Sequence, residues 1–134
     1  MTSGYSKTPL VKKLGLKAGM RACLMQPPDD YMALFGEIPE EVTFQGLEGE
    51  LDFIHYFTMA GAQLAADFPR LKQHLDKKGM LWISWPKGKS KISTDLNRDI
   101  IRDMGLQTGL VDVKVCSVDE VWSGLKFVWR TKDR

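Results

Sequence analysis

Met20-Arg21-Ala22-Cys23-Leu24-Met25, followed at once by Gln26-Pro27-Pro28-Asp29-Asp30, is the stretch on which the fold turns. The first six residues read as a buried strand and the next five as the loop at its carboxyl end. In an α/β sheet such a loop usually holds a phosphate or carboxylate through glycines, because only glycine lets the backbone approach a ligand closely. Here two consecutive prolines fix φ and remove two amide donors. The strand implies a ligand-binding sheet, while the loop argues against the usual ligand.

Outward from this strand the pattern alternates. Thr8-Pro9 opens a short helix, with Thr8 as cap and Pro9 in the first helical position; Leu10, Val11 and Leu14 face one side and Gly15 ends it. Asp29 or Asp30 caps a second short helix through Phe35, stopped by Gly36. Val42-Thr43-Phe44 is a brief strand, and Leu51 to Phe57 is a longer, nearly continuous apolar one, as expected of a strand covered on both faces. Leu64, Phe68, Leu71 and Leu75 have helical spacing. Pro69 inside that run predicts a kink or two helices, with Asp67 capping the second and Lys77-Lys78-Gly79 closing it. Met80 to Trp85 is the clearest buried strand and Pro86 ends it. Ser93-Thr94-Asp95 caps a helix bearing Leu96, Ile100, Ile101 and Met104, ended by Gly105. Val111 to Val115 and Leu125 to Arg130 alternate with period two around a linker from Asp119 to Gly124, predicting an antiparallel hairpin.

Strands alternating with helices make the sheet mostly parallel, in three layers. Gly46 to Glu50 resists this, since five residues span at most ~17 Å and a crossover between parallel strands takes roughly a dozen residues. Either Val42 to Phe44 pairs antiparallel with Leu51 to Phe57, or the connection follows the sheet edge.

With 134 residues and ordinary apolar and charged fractions, one domain over residues 1–134 is expected. No run approaches the roughly 20 apolar residues of a membrane span, and the start of the chain has no apolar signal core, so a cytoplasmic location is expected. Cys23 and Cys116 read as buried reduced thiols. Net charge is +2, yet from Asp29 to Asp52 there are eight acidic residues and no basic one.

Several segments carry a resemblance. Leu71 to Trp85, a helix passing through Lys78-Gly79 into a strand, resembles the corresponding passage of S-adenosylmethionine-dependent methyltransferases, and the closing hairpin resembles theirs. Ser84-Trp85-Pro86-Lys87, Thr94-Asp95-Leu96, Gly109 to Asp112 and Val118 to Phe127 resemble a family of small bacterial proteins carrying a domain of unknown function. The resemblance implies a truncated Rossmann-like, S-adenosylmethionine methyltransferase-like sheet ending in an antiparallel hairpin. It also marks two departures. The first loop should read acidic-x-Gly-x-Gly, and the second strand should end in an acid that bonds the ribose hydroxyls, where this chain has Phe44-Gln45-Gly46.

The candidate ligand site is the loop after Trp85, where Lys87, Lys89 and Lys91 are expected to converge on a helix start at Ser93, Thr94 and Asp95, with Arg98 one turn on. An exposed basic loop with an ordinary cap explains the same residues. Gly88-Lys89-Ser90 fails as a phosphate-binding P-loop, which needs glycine where Ile83 stands. Asp119, Glu120, Trp122 and Ser123 form a second polar cluster, for which turn chemistry is favoured over acid–base work, with Asp119 bonding Ser123 or Lys126. His55 ends its strand on the same sheet edge as the lysine loop if the sheet is parallel, and a lone histidine near a core reads as a satisfied structural residue rather than a base. No Cys/His spacing suggests a metal, and no nucleophile motif assigns a catalytic residue.

The sequence reading is a non-catalytic binding or regulatory module on a methyltransferase-like scaffold, with no cofactor assigned. The alternative is an enzyme or sensor for a small anionic ligand, phosphorylated or carboxylated, at the Trp85 to Thr94 loop. The small net charge argues against nucleic acid, no membrane partner is implied, and homo-oligomers through a sheet edge stay open.

Overall fold

The computed structural model describes residues 9–134; the expected Thr8 cap lies outside them. Helix α1 (Leu10–Leu14) starts after Pro9, which occupies the cap position rather than the first helical one, and ends at Gly15 with φ 86°. Strand β1 (Arg21–Met25) leads through helix α2 (Tyr31–Phe35) to strand β2 (Thr43–Phe44), then to strand β3 (Leu51–Phe57). Helix α3 (Gly61–His74), strand β4 (Leu75–Pro86), helix α4 (Arg98–Thr108) and the pair β5 (Leu110–Ser117) and β6 (Trp122–Trp129) complete the order.

Among the described residues the strands form one six-stranded sheet, ordered β2-β1-β3-β4-β6-β5. The first four are mutually parallel, and β6 runs antiparallel to both β4 and β5. The expected hairpin is present. The antiparallel alternative for β2 is corrected: β2 pairs parallel with β1, on the side away from β3, so residues 45–50 cross from one side of β1 to the other. That is feasible because β2 climbs only two residues. The chain needs a sideways step of two strand spacings, roughly 10 Å, within reach of six residues.

Two apolar clusters cover the two faces. One gathers Leu64, Phe68, Leu71, Ile101 and Phe127 beneath α3 and α4; the other gathers Leu10, Leu14, Tyr31, Phe35, Phe53 and Trp82 beneath α1 and α2. The indole of Trp82 donates to Leu14 O at 2.8 Å, which satisfies its polar edge in the core and docks α1.

Three local expectations are corrected. Helix α3 runs unbroken through Pro69, and Asp67 caps nothing: its carboxylate accepts from the Tyr56 hydroxyl at 2.6 Å. Pro69 lies on the exposed side, so the helix forfeits one backbone bond while Leu64, Phe68 and Leu71 stay buried. Lys77-Lys78-Gly79 does not close that helix but bulges from β4, where the pairing steps from Leu51–Leu75 to Phe53–Met80. A Cβ on Gly79 would come within 2.8 Å of Leu51 O, so the bulge requires glycine. Gly105 does not end α4; it sits inside it against the Phe127 ring, and the helix ends at Gly109 with φ 99°.

Candidate functional site

The order of strands reverses between β1 and β3: α2 carries the chain to one side of β1, and β3 lies on the other. In open parallel sheets this switch point opens a crevice at the carboxyl ends of the strands. Gln26, first residue after β1, has φ 58°, a left-handed conformation that costs a non-glycine residue roughly 1–2 kcal/mol. The turn a glycine would make is therefore kept, with a side chain added.

That side chain crosses the crevice. Gln26 Nε2 donates to Phe57 O at 2.7 Å and to Gln63 Oε1 at 3.3 Å, and Gln63 Nε2 donates back to Gln26 Oε1 at 3.0 Å. The Thr58 hydroxyl donates to Gln63 Oε1 at 2.7 Å. The prolines take no part in this clasp of amides; the long polar side chain of Gln26 makes it. Gln26, Thr58 and Gln63 are the residues that sequence reading missed as a site; the only signal was Gln26 standing where a glycine is expected.

The lysine loop is arranged differently from expectation. Helix α4 begins at Arg98 and its cap is Asn97, whose side chain accepts from Ile100 N at 2.9 Å. Ser93 therefore starts no helix. Thr94 donates to Met59 O at 2.6 Å, and Asp95 accepts from Gly61 N at 2.8 Å, capping α3 from outside. These two bring the loop to the β3–α3 corner, beside the clasp. Lys87 turns the other way, donating to Ser117 Oγ at 2.7 Å, while Lys89 and Lys91 are exposed. Arg98 pairs with its neighbour Asp99, and Trp85 is buried. The lysines thus do not converge on a helix amino end.

At the hairpin, Asp119 accepts from Val121 N at 2.8 Å and Trp122 N at 2.7 Å, a turn closed on the backbone rather than on Ser123 or Lys126. Trp122 meets Phe57 edge-on, Glu120 is exposed, and Ser123 pairs across to Trp85 and Ser117.

His55 lies in the core as a structural histidine. Tyr31 Oη and His55 Nδ1 are 2.7 Å apart, and His55 Nε2 and Ser84 Oγ are 2.7 Å apart. Burial pushes the imidazole down to about 3 and raises the Tyr31 phenol far above its ordinary value. All three residues are buried, so the chain ties α2 to β3 and β4 and offers no accessible base. Among the described residues no group of three or more His, Cys, Asp or Glu is placed to hold a metal, and no helix is long and apolar enough to cross a membrane.

No family model matches the chain, and no curated protein matches it. Solved structures do. The DhpI–SAH complex superposes with a TM-score of 0.62 at 7% identity, over 92% of this chain and 83% of that one. A TehB-like SAM-dependent methyltransferase from Corynebacterium glutamicum gives 0.57 at 12% identity, over 96% and 91%. Magnesium protoporphyrin IX methyltransferase from Synechocystis, with bound SAH, gives 0.56 at 11% identity, over 90% and 78%. The expectation of a non-catalytic module, drawn from the missing glycine loop, is overturned by these neighbours, which are methyltransferases and complexes with SAH. The likeness to the small bacterial family rests on residues alone. The chain carries the Rossmann-like α/β fold of S-adenosylmethionine-dependent methyltransferases.

Proposed function

We propose that the protein is an S-adenosylmethionine-dependent methyltransferase whose cofactor lies at the carboxyl ends of β1 and β3. The observation that carries this reading is the switch point between those strands inside a sheet that closes with the reversed β6–β5 pair. Pro27 and Pro28 supply no amide donors, so the usual backbone cradle is replaced by side chains. The amides of Gln26 and Gln63 and the Thr58 hydroxyl are neutral donors and acceptors, suited to a carboxylate or to ribose hydroxyls, and they reach such a ligand once their mutual bonds open.

The sulfonium cofactor supplies an activated methyl group. The chain contributes positioning: the Tyr31–His55–Ser84 chain fixes the start of α2, and Thr94 and Asp95 fix the β3–α3 corner. His55 does not serve as base, being buried, neutral and bonded at both nitrogens. The reading places the protein in the cytoplasm, where its buried thiols stay reduced.

Isothermal titration with S-adenosylhomocysteine tests it, on the wild type and on Gln26→Ala/Gln63→Ala. A Kd of roughly 100 µM or tighter for either protein supports the proposal. Absence of heat from both at millimolar ligand removes it.

A further inference from the structure

Lys13, Lys87, Lys114 and Lys126 come from four separate elements to one face of the β5–β6 pair, beside α1. The ammonium of Lys13 donates to Ser117 O at 2.9 Å and that of Lys87 to Ser117 Oγ at 2.7 Å. Lys114 donates to Lys13 O at 3.2 Å, and it pairs across the ladder with Lys126. Every acceptor is neutral. Among the described residues the ion pairs all use arginine (Arg21, Arg98 and Arg102), and no carboxylate reaches any of these four lysines.

Such a cluster destabilises the free protein. Like charges directly opposed on neighbouring strands repel. Burial, then Lys114 and Lys17, pull the half-buried Lys126 ammonium below its ordinary value, with no acid to offset them. An external anion would supply what the chain lacks.

The dimensions choose among anions. Lys13 and Lys87 both reach Ser117, three residues along β5 from Lys114 and its partner Lys126, so the lysines are spread over roughly 10 Å. One phosphate or carboxylate meets one end of that row, whereas successive phosphates of a chain meet both. All four are lysines, which bind phosphate oxygens as compact point charges with rotatable donors. Meanwhile the acidic run from Asp29 to Asp52 includes β2, at the far end of the sheet. The net +2, which argued against nucleic acid, is the sum of an acidic end and a basic end.

We propose that the β5–β6 face beside α1 is a binding surface for a nucleic-acid backbone, held by Lys13, Lys87, Lys114 and Lys126. This does not rest on the methyl-transfer reading, and its failure leaves that reading standing.

Fluorescence anisotropy with a labelled, mixed-sequence single-stranded RNA of roughly 20 nucleotides tests it on the full chain. With four phosphates neutralised, affinity should fall about fifty-fold between 50 and 200 mM salt. Lys87→Gln/Lys114→Gln should weaken binding by roughly fivefold or more and lower the salt slope, while Lys87→Arg/Lys114→Arg restores it. Lys89→Gln/Lys91→Gln, on the neighbouring loop, should change affinity by less than about twofold. No salt-sensitive binding by the wild type overturns the proposal. So does an equal loss from the Lys89/Lys91 variant, or a failure of the arginine variant to bind while it remains folded by circular dichroism. Polyglutamate bound as tightly as RNA would assign the face to an acidic protein instead.

Discussion

Gln26 and Gln63 exchange a reciprocal pair of amide hydrogen bonds, 3.0 and 3.3 Å long, across the crevice between β1 and β3. The pair is exposed, so water competes for each bond and the clasp contributes little net stability. It nevertheless occupies the groups a ligand there would need.

The two simplest replacements of Gln26 should behave differently. Gln26→Ala loses the bond to Phe57 O and keeps a side chain at φ 58°, whereas Gln26→Gly loses the bond but relieves the backbone. Glycine should be more stable than alanine by about 1 kcal/mol in urea unfolding. Equal stability would mean that the backbone at Gln26 carries no strain.

Gly105 is fixed by contact, not by backbone conformation. A Cβ there would come within 2.0 Å of Phe127 Cε1, in a core where that ring also packs edge-on against Phe68. Gly105→Ala should cost about 3 kcal/mol through overpacking, despite alanine's better helix propensity. Phe127→Leu should recover part of that loss in the double variant, measured by a thermodynamic cycle in denaturant.

Stability should fall as the solution is acidified, through His55. Its folded-state value is depressed to about 3 by burial, against about 6.5 when unfolded. The unfolded chain therefore binds the extra proton first. The contribution is fully present above about pH 6.5 and is lost as pH falls toward 3. Between pH 6.5 and 5 the loss should be roughly 1.5 kcal/mol. Substituting His55→Gln should flatten that part of the profile; an unchanged slope would assign the acid sensitivity to other groups.

Much of the fold was legible because it follows local period. The apolar run at Met80 to Trp85, the alternation in the closing strands and glycines at Gly15 and Gly36 each announce their element within a few residues. Errors arose where a local signal had a distant cause. Gly105 looked like a helix stop and is a seat for Phe127; Lys77-Lys78-Gly79 looked like a helix end and is a bulge against Leu51 O. The Ser93-Thr94-Asp95 triplet has capping chemistry, but Asp95 spends it on α3 rather than α4.

By itself, then, the sequence determined an α/β sheet with a closing hairpin, the burial of Trp82 and the absence of a glycine loop after the first strand. These depend on residue type and spacing along the chain. Only the tertiary structure decided that Gln26 clasps Gln63, that His55 is sealed between Tyr31 and Ser84, and that four lysines share one face without an acid. Each of these joins residues far apart in sequence, and no period along the chain encodes a distance that folding alone sets.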